Sequence, residues 1–319
     1  MFDPTKLEET LTTPTDYIRW GASVMARSEA AGGLYFGHGT DNALDEAIQL
    51  VLRQLNLPLN CPDSLLQGKL LLAERHCLAD KFKQRVTQRI PLPYLIHEAS
   101  FGGMVFYVDE RVLIPRSPFA ELIEQQFSPW VDPLSVHSIL EIGTGSGCIA
   151  IATAVEFADS KVDAIDLSTD ALVVAARNVE RYGLQQQVRL IHSNLFAALG
   201  GKKYDLIISN PPYVDKQDLG SMPAEFHAEP RMGLEAGEDG LDLVVQILLE
   251  AGAHLHEQGV LIVEVGNSGV ALEQLFPQVP WTWVEFERGG NGVFVVDHVT
   301  LHTHQSLFRK EQERRISQQ

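Results

Sequence analysis

Asn210-Pro211-Pro212-Tyr213 follows directly on the apolar run Leu206-Ile207-Ile208. A run of that kind suits a strand buried on both faces, and two prolines stop it because neither has an N–H to donate. A residue before proline is pushed into extended geometry, which leaves the Asn210 side-chain oxygen and the Pro211 carbonyl as adjacent acceptors. Two such acceptors fit a planar NH2 group. Tyr213 could then offer a ring face to the flat system carrying it, either a carboxamide or a nucleobase with an exocyclic amine. The same tetrapeptide can equally be a proline-rich turn that closes a strand, and taken alone it does not decide.

A second stretch is richer. Leu140-Glu141-Ile142-Gly143-Thr144-Gly145-Ser146-Gly147-Cys148 reads as a strand, a glycine-rich turn and the start of a helix. Glycine permits a sharp turn and close approach of backbone to a ligand. Asp166 ends the next strand about 20 residues on, where a carboxylate can accept from ribose hydroxyls. The pair describes a nucleoside site. Its glycines are spaced Gly143-x-Gly145-x-Gly147, unlike the dinucleotide fingerprint. The 11 histidines show no metal-ligand spacing, and no nucleophile elbow or phosphate loop is present. His227 and Glu229, in the loop beyond Tyr213, could touch a target peptide or simply be loop.

These residues need a scaffold that aligns strand ends. From Ser138 onward strands alternate with helices, which predicts an α/β unit with a mostly parallel sheet. Its expected strands are 138–142, 161–165, 188–192, 206–209 and 260–265, with 281–286 and 292–296 pairing antiparallel. Before them, 15–31 reads as a helix ending at Gly32-Gly33, 44–55 as a helix capped by Thr40 or Asp41, and 65–86 as a third apolar pattern. Residues 101–114 alternate around Gly102-Gly103 as a hairpin would, and 119–127 can form a helix. The expected division is a helical unit over 1–97 that selects or docks substrate, a β-hairpin linker over 98–116, an α/β domain over 117–310 and a polar tail over 311–319; the polar, charged stretch after about Thr300 is expected to be a short helix or a frayed tail.

The chain has 319 residues, 45% of them hydrophobic and 21% charged, with a net charge of −17. That acidity repels bare nucleic acid at long range. No segment suits a membrane span, and Met1–Thr5 lacks a basic region followed by an apolar one, so no leader and a cytoplasmic setting are expected. Cys61, Cys77 and Cys148 are odd in number and far apart, so reduced, mostly buried thiols are expected rather than disulfides or a zinc site.

The Glu-x-Gly-x-Gly-x-Gly turn, Asp166 and Asn-Pro-Pro-Tyr together resemble a seven-stranded, Rossmann-like class I S-adenosylmethionine-dependent methyltransferase. More narrowly, the chain resembles the HemK/Prm family of protein glutamine N5-methyltransferases. Arg89-x-Pro91-x-x-Tyr94-Leu95, Phe101-Gly102, Val112-Leu113-Ile114-Pro115-Arg116 and Glu264-Val265-Gly266-Asn267 are similar to that family's linker and fifth-strand ending. Pro115-Arg116-Ser117-Pro118-Phe119-Ala120-Glu121 and His227-Ala228-Glu229-Pro230 are similar to the branch that methylates a glutamine of the third large-subunit ribosomal protein. The resemblance implies S-adenosylmethionine as cofactor, S-adenosylhomocysteine as product and no metal. It implies that Gly143, Thr144, Gly145 and Gly147 hold the methionine part, Asp166 the ribose, and Asn194-Leu195 the adenine. Glu141 either approaches the cofactor's cationic end or caps the adjoining turn. Asn210 and Pro211, with Pro212 and Tyr213, would bind the substrate amide, Asn210 also lying against the cofactor. Asn194 departs from the Asp common in the family, which removes a negative charge from the adenine contact. The implied partner is a basic ribosomal protein, free or in a ribosome-assembly intermediate. Release factors, an adenine or cytosine amino group in nucleic acid, and a non-catalytic assembly role are the alternatives; no membrane or nucleic-acid partner is expected.

Overall fold

The computed structural model describes Leu7 and residues 9–318; Met1–Thr5, read above for a leader, lie outside them. The described chain forms two compact units. One takes the residues up to Ala99 with Val108–Glu110 and Pro223–Ala228; the other takes Ser100–Tyr107, Arg111–Met222 and the residues from Glu229 onward.

The first unit is helical: α1 (Pro14–Ala30), α2 (Ala43–Gln54), the single turn α3 (Asp63–Leu66), α4 (Leu72–Lys83) and α5 (Leu92–Ile96). Thr13 and Asp16 form a capping box ahead of Pro14, and Gly32 takes a left-handed φ of +71° just past the end of α1. The cap of α2 is Asn42 rather than Thr40 or Asp41. Its side chain accepts from the Asp45 N–H at 2.9 Å, while the Thr40 hydroxyl donates to Glu46. The apolar pattern over 65–86 is broken, not continuous. Leu65, Leu71 and Leu72 are exposed, and α4 restarts where the Glu74 carboxylate accepts from the Leu71 N–H. A π-helical turn, Gln84–Gln88, then carries Arg85 into the interior. Arg85 pairs there with Glu46 and with Glu225, which Arg89 and the Tyr35 N–H also bind. Buried charges persist only when paired in this way.

A hairpin, β1 (Ala99–Phe101) and β2 (Met104–Phe106), lies in the second unit but for Ala99 and turns at Gly102 and Gly103, both at positive φ. It is shorter than the expected 101–114. Tyr107 gives its backbone hydrogen bonds to the Asn178 side chain at 2.8 and 2.9 Å instead of to a strand. Next come α6 (Phe119–Glu124), β3 (Ser138–Ile142), α7 (Cys148–Glu156), β4 (Lys161–Asp166), α8 (Thr169–Arg181), β5 (Val188–His192) and β6 (Tyr204–Ser209). After them follow α9 (Lys216–Ser221), α10 (Asp242–His254), β7 (Leu255–Glu264), α11 (Gly269–Leu275), β8 (Thr282–Trp283), β9 (Val293–Asp297) and α12 (His298–Ile316). The helix expected over 119–127 ends at Glu124 because Gln126 and Phe127 take positive φ.

The seven-stranded sheet has the order β5-β4-β3-β6-β7-β9-β8, parallel except where β9 runs against β7 and β8. This is the seven-stranded, mostly parallel α/β sheet that the resemblance implies. Alternate residues feed two cores: Ile139, Leu206, Ile208, Ile262 and Val295 on one face, Leu140, Ile207, Leu261 and Phe294 on the other. Burial on both faces gives the central strands unbroken apolar runs, Leu206-Ile207-Ile208 in β6 and Val260 to Val263 in β7. The stretch after about Thr300 belongs to a 19-residue helix, α12, rather than a short one. Asp297 caps α12, and Leu301 and Phe308 bury into the second core. All three cysteines are free, but of them only Cys148 is buried. Among the described residues no helix is long and apolar enough to cross a membrane.

Candidate active site

Register builds the site. Ile142 pairs with Ile165 and with Ser209, and Ser209 with Val263. The next residue on each strand is therefore Gly143, Asp166, Asn210 or Glu264, so the four stand side by side at the carboxyl ends of β3, β4, β6 and β7. Ligands of open α/β sheets bind at such ends.

The glycine turn is fixed by its neighbours. The Gly143 and Thr144 N–H groups both donate to the Ile165 carbonyl, at 2.9 and 3.0 Å, and Gly147 N–H donates to Thr144 O at 2.8 Å. Gly143, Gly145 and Gly147 take φ of +76°, +54° and +81°, where a Cβ is strained. A Cβ on Gly147 would press on Ala175 at 3.3 Å, so this glycine lets α7 pack on α8. A Cβ on Gly145 would meet nothing within 4 Å, and one on Gly143 would meet only the Asn210 carbonyl, at 4.0 Å. The turn thus faces open space beside Asn210.

Asp166 Oδ2 accepts from the Gly145 N–H at 2.9 Å and Oδ1 from the Ser168 N–H at 2.8 Å. Burial raises its pKa and these N–H donors oppose the rise. Each oxygen keeps a further lone pair for a hydroxyl donor. Glu141 alternates onto the face of α7, only 2% exposed, and one carboxyl oxygen accepts from the Thr144 hydroxyl and the Ala150 N–H. Of its two readings, these bonds supply the turn-capping one. Burial pushes its carboxyl up to about 8.

Asn194 is exposed and opens a 3-10 turn, Leu195–Ala198, without capping it by its side chain. Ser193 caps instead, accepting from the Ala198 N–H, while Leu195 takes a left-handed φ of +46°. Asn194 and Leu195 lie just past His192, which pairs with Asp166, so they flank the carboxylate.

Asn210 is half-buried and Pro211 buried, with the Ser209 hydroxyl donating to Ile142 O at 2.9 Å beneath them. Tyr213 is tethered: its hydroxyl donates to Glu264 Oε1 at 2.8 Å, and the Ser117 hydroxyl donates to Glu264 Oε2. Burial raises the pKa of both Glu264 and Tyr213, and the Glu264 charge raises the phenol further. The Tyr213 ring packs so closely on Gly266 that a Cβ there would sit 2.6 Å from it. Glu229 does not reach outward as a peptide contact. It is 3% exposed, and its carboxylate accepts from Arg116 Nη1 at 2.8 Å and from the Ile114 N–H at 3.0 Å. His227 is exposed and belongs to the helical unit.

Sequence reasoning gave no role to Ser117, Glu264 or Asn178. Glu264 carries a usable signal, a carboxylate inside the apolar run Val260–Val265. Asn178 carries none, yet it is wholly buried and donates to Ser146 O at 2.8 Å, joining the glycine turn to Tyr107. Among the described residues no His, Cys, Asp and Glu cluster could hold a metal ion.

The methyltransferase small domain family matches residues 127–238. A ribosomal protein uL3 glutamine methyltransferase of Francisella tularensis is 48% identical over 301 residues, covering 94% of this chain and 95% of that protein. One from Neisseria gonorrhoeae is 47% identical over 293 residues, covering 91% and 96%. Among solved structures, a ribosomal protein L11 methylase from Lactobacillus delbrueckii subsp. bulgaricus aligns with a TM-score of 0.41 at 18% identity, covering 60% of this chain and 83% of that one.

Proposed function

The chain belongs to the ribosomal protein uL3 glutamine methyltransferases, and from that membership we propose that it transfers a methyl group from S-adenosylmethionine to the side-chain amide nitrogen of a glutamine in uL3. The observation that carries the site assignment is the juxtaposition of an acceptor pair, Asn210 and Pro211, with a glycine turn whose missing side chains leave room for a ligand.

The residues suit the cofactor. Gly143, Thr144, Gly145 and Gly147 would cradle its methionine part, Asp166 would take the ribose hydroxyls, and Asn194 with Leu195 would border the adenine. Glu141 acts from beneath by fixing Thr144 and the start of α7. When bound, the cofactor supplies a methyl group on a sulfonium, open to in-line displacement. An amide nitrogen is a poor nucleophile because its lone pair is delocalised into the carbonyl. The Asn210 side-chain oxygen and the Pro211 carbonyl accept its two N–H bonds, orient the nitrogen and stabilise the positive charge that grows there. One N–C bond forms as one C–S bond breaks, and an amide proton leaves to solvent. No strong base is needed before attack, which is why an Asn can serve. Pro212 and Tyr213 shape the substrate side. We place the reaction in the cytoplasm, on free uL3 or on an assembling large subunit; the chain's charge of −17 suits a basic partner.

The test is methyl transfer from labelled S-adenosylmethionine to purified uL3, release factor and RNA, with mass spectrometry of the product. Label is expected on a glutamine of uL3. Asn210→Ala should lower turnover by roughly 100-fold or more while cofactor affinity changes little, because the lost contact acts at the reacting nitrogen. Label only on release factor or RNA would replace the substrate, and normal turnover by Asn210→Ala would remove the acceptor pair from the mechanism.

A further inference from the structure

Beyond Tyr213 the chain is pinned rather than released. Ser268 Oγ donates to the Tyr213 carbonyl at 2.9 Å. Val214 is laced to its neighbours by Val214 N–H to Leu234 O at 2.9 Å and Ala236 N–H to Val214 O at 3.1 Å. Gly240, at φ +75°, lies so close that a Cβ there would sit 2.2 Å from the Tyr213 carbonyl oxygen and 2.3 Å from the Ser268 hydroxyl. The turn Gly237-Glu238-Asp239-Gly240 is therefore the wall behind Tyr213 and Val214.

Of its own the wall has the Leu241 N–H donating to Asp239 Oδ1 at 3.1 Å and an exposed Lys216–Glu238 pair. Gly237 and Gly240 both take positive φ, and the Glu238 side chain is 84% exposed. It is closed from α12 by one guanidinium. Arg315 Nη1 donates to Asp239 Oδ1 at 2.9 Å and to Asp242 Oδ1 at 2.6 Å, Nη2 donates to Asp239 Oδ2, and Nε to Glu311 Oε1 at 2.8 Å. The fork thus spends its donors on three carboxylates, with its own side chain only 10% exposed. Arginine geometry matters here, since an ammonium cannot span two carboxylates in one plane. Without it Asp239, at the tip of the turn, and Asp242, at the start of α10, would repel each other, whereas Glu311 would keep Arg314.

We propose that Arg315 is a positioning residue for methyl transfer: by clamping Asp239 and Asp242 it holds Gly240 against the Tyr213 carbonyl and so fixes the Asn210-Pro211 acceptor pair, three and two residues upstream. The inference rests on the reading of that pair as the amide-binding site. A shift of about 1 Å at reacting groups can cost up to about 100-fold in rate, so a wall that moves slightly has a large effect on turnover and little on the glycine turn that faces the cofactor.

The experiment compares Arg315→Met, Arg315→Lys, Gly240→Ala, the double variant Arg315→Met/Gly240→Ala, and Asn210→Ala, reading kcat and KM on uL3, cofactor Kd by calorimetry, and melting temperature. Arg315→Met is expected to lower kcat roughly 10-fold with cofactor Kd within about twofold, and Arg315→Lys to recover part of the loss. Gly240→Ala, which pushes on the same carbonyl from the other side of the contact, should lower kcat similarly. The double variant should be no worse than its weaker parent, because both act through one contact. A wild-type kcat in Arg315→Met alongside a lowered melting temperature would overturn the proposal, as would multiplicative losses in the double variant. Should Arg315→Met fail to fold, Arg315→Lys and Asp239→Asn make the same comparison. Wild-type kcat in Asn210→Ala would instead sink the acceptor-pair reading, which keeps the two failures apart.

Discussion

The glycine turn and the Asn-Pro-Pro-Tyr segment stand side by side, yet they are held in different ways. Around the turn the ties are shorter in sequence: Glu141 reaches Thr144 and Ala150, three and nine residues on, Asp166 reaches Gly145 across 21, and Asn178 reaches Ser146 across 32. The substrate segment depends on remote parts of the chain. Glu264 meets Tyr213 across 51 residues and Ser117 across 147, and Arg315 reaches Asp239 across 76. A turn built from its own neighbours can be complete without the substrate. A segment held from afar is set only once the whole unit has folded, so its geometry is open to adjustment by distant substitutions.

Three substitutions sharpen or break that contrast. Asp166→Ala removes both the candidate ribose acceptor and the ties to the Gly145 and Ser168 N–H groups. Calorimetry should show cofactor Kd weakened by roughly 100-fold, about 2.7 kcal/mol, with a smaller change in kcat at saturating cofactor. An unaltered Kd would detach Asp166 from the cofactor side. Glu264→Gln is the counterpart on the substrate side: each hydroxyl donates to its own carboxylate oxygen, and the amide puts an NH2 donor in place of one of them. About 10-fold is expected off kcat with Kd unchanged, corresponding to one unsatisfied buried donor of roughly 1–3 kcal/mol. Loss of cofactor binding there would show that the two regions are not separate.

The smallest effect is one of pH. Burial holds the Glu141 carboxyl at about 8, above its ordinary 4.5. The folded state therefore binds a proton that the unfolded state releases between those values, so this group's contribution to stability is present below about pH 4.5 and is lost as pH rises towards 8. The slope is at most about 1.4 kcal/mol per pH unit. Glu141→Gln keeps an acceptor for Thr144 and Ala150 but cannot ionise. Melting curves should show the variant gaining on the parent from about pH 5 to pH 8 and no further gain above it; parallel curves would place the Glu141 carboxyl in its ordinary range.

Much of the architecture was legible because burial on both faces leaves apolar runs that cannot be mistaken for loops. Strands β3, β4 and β5 lie where Ser138–Ile142, Lys161–Ile165 and Val188–His192 predicted them to within a residue. What escaped were features set by partners elsewhere. The hairpin stops at Phe106 because Asn178 takes the Tyr107 backbone, and the polar end of the chain is a long helix because Phe308 and Leu301 find the second core. Glu229 read as a peptide contact or simply loop, since nothing beside it in sequence announces Arg116.

The sequence by itself determined the residue types at the strand ends: three glycines that can take positive φ, an aspartate one strand over, and an asparagine whose prolines leave adjacent acceptors. These are local matters of backbone freedom and donor count, and they survive without knowledge of the fold. Only the tertiary structure decided which of those ends are neighbours and what stands behind them. Strand order and register put Gly143, Asp166, Asn210 and Glu264 in one row, and Glu264 and Arg315 find their partners only after the chain between them has closed. Such pairings are set by loop closure and burial of the whole sheet, which no window of sequence contains.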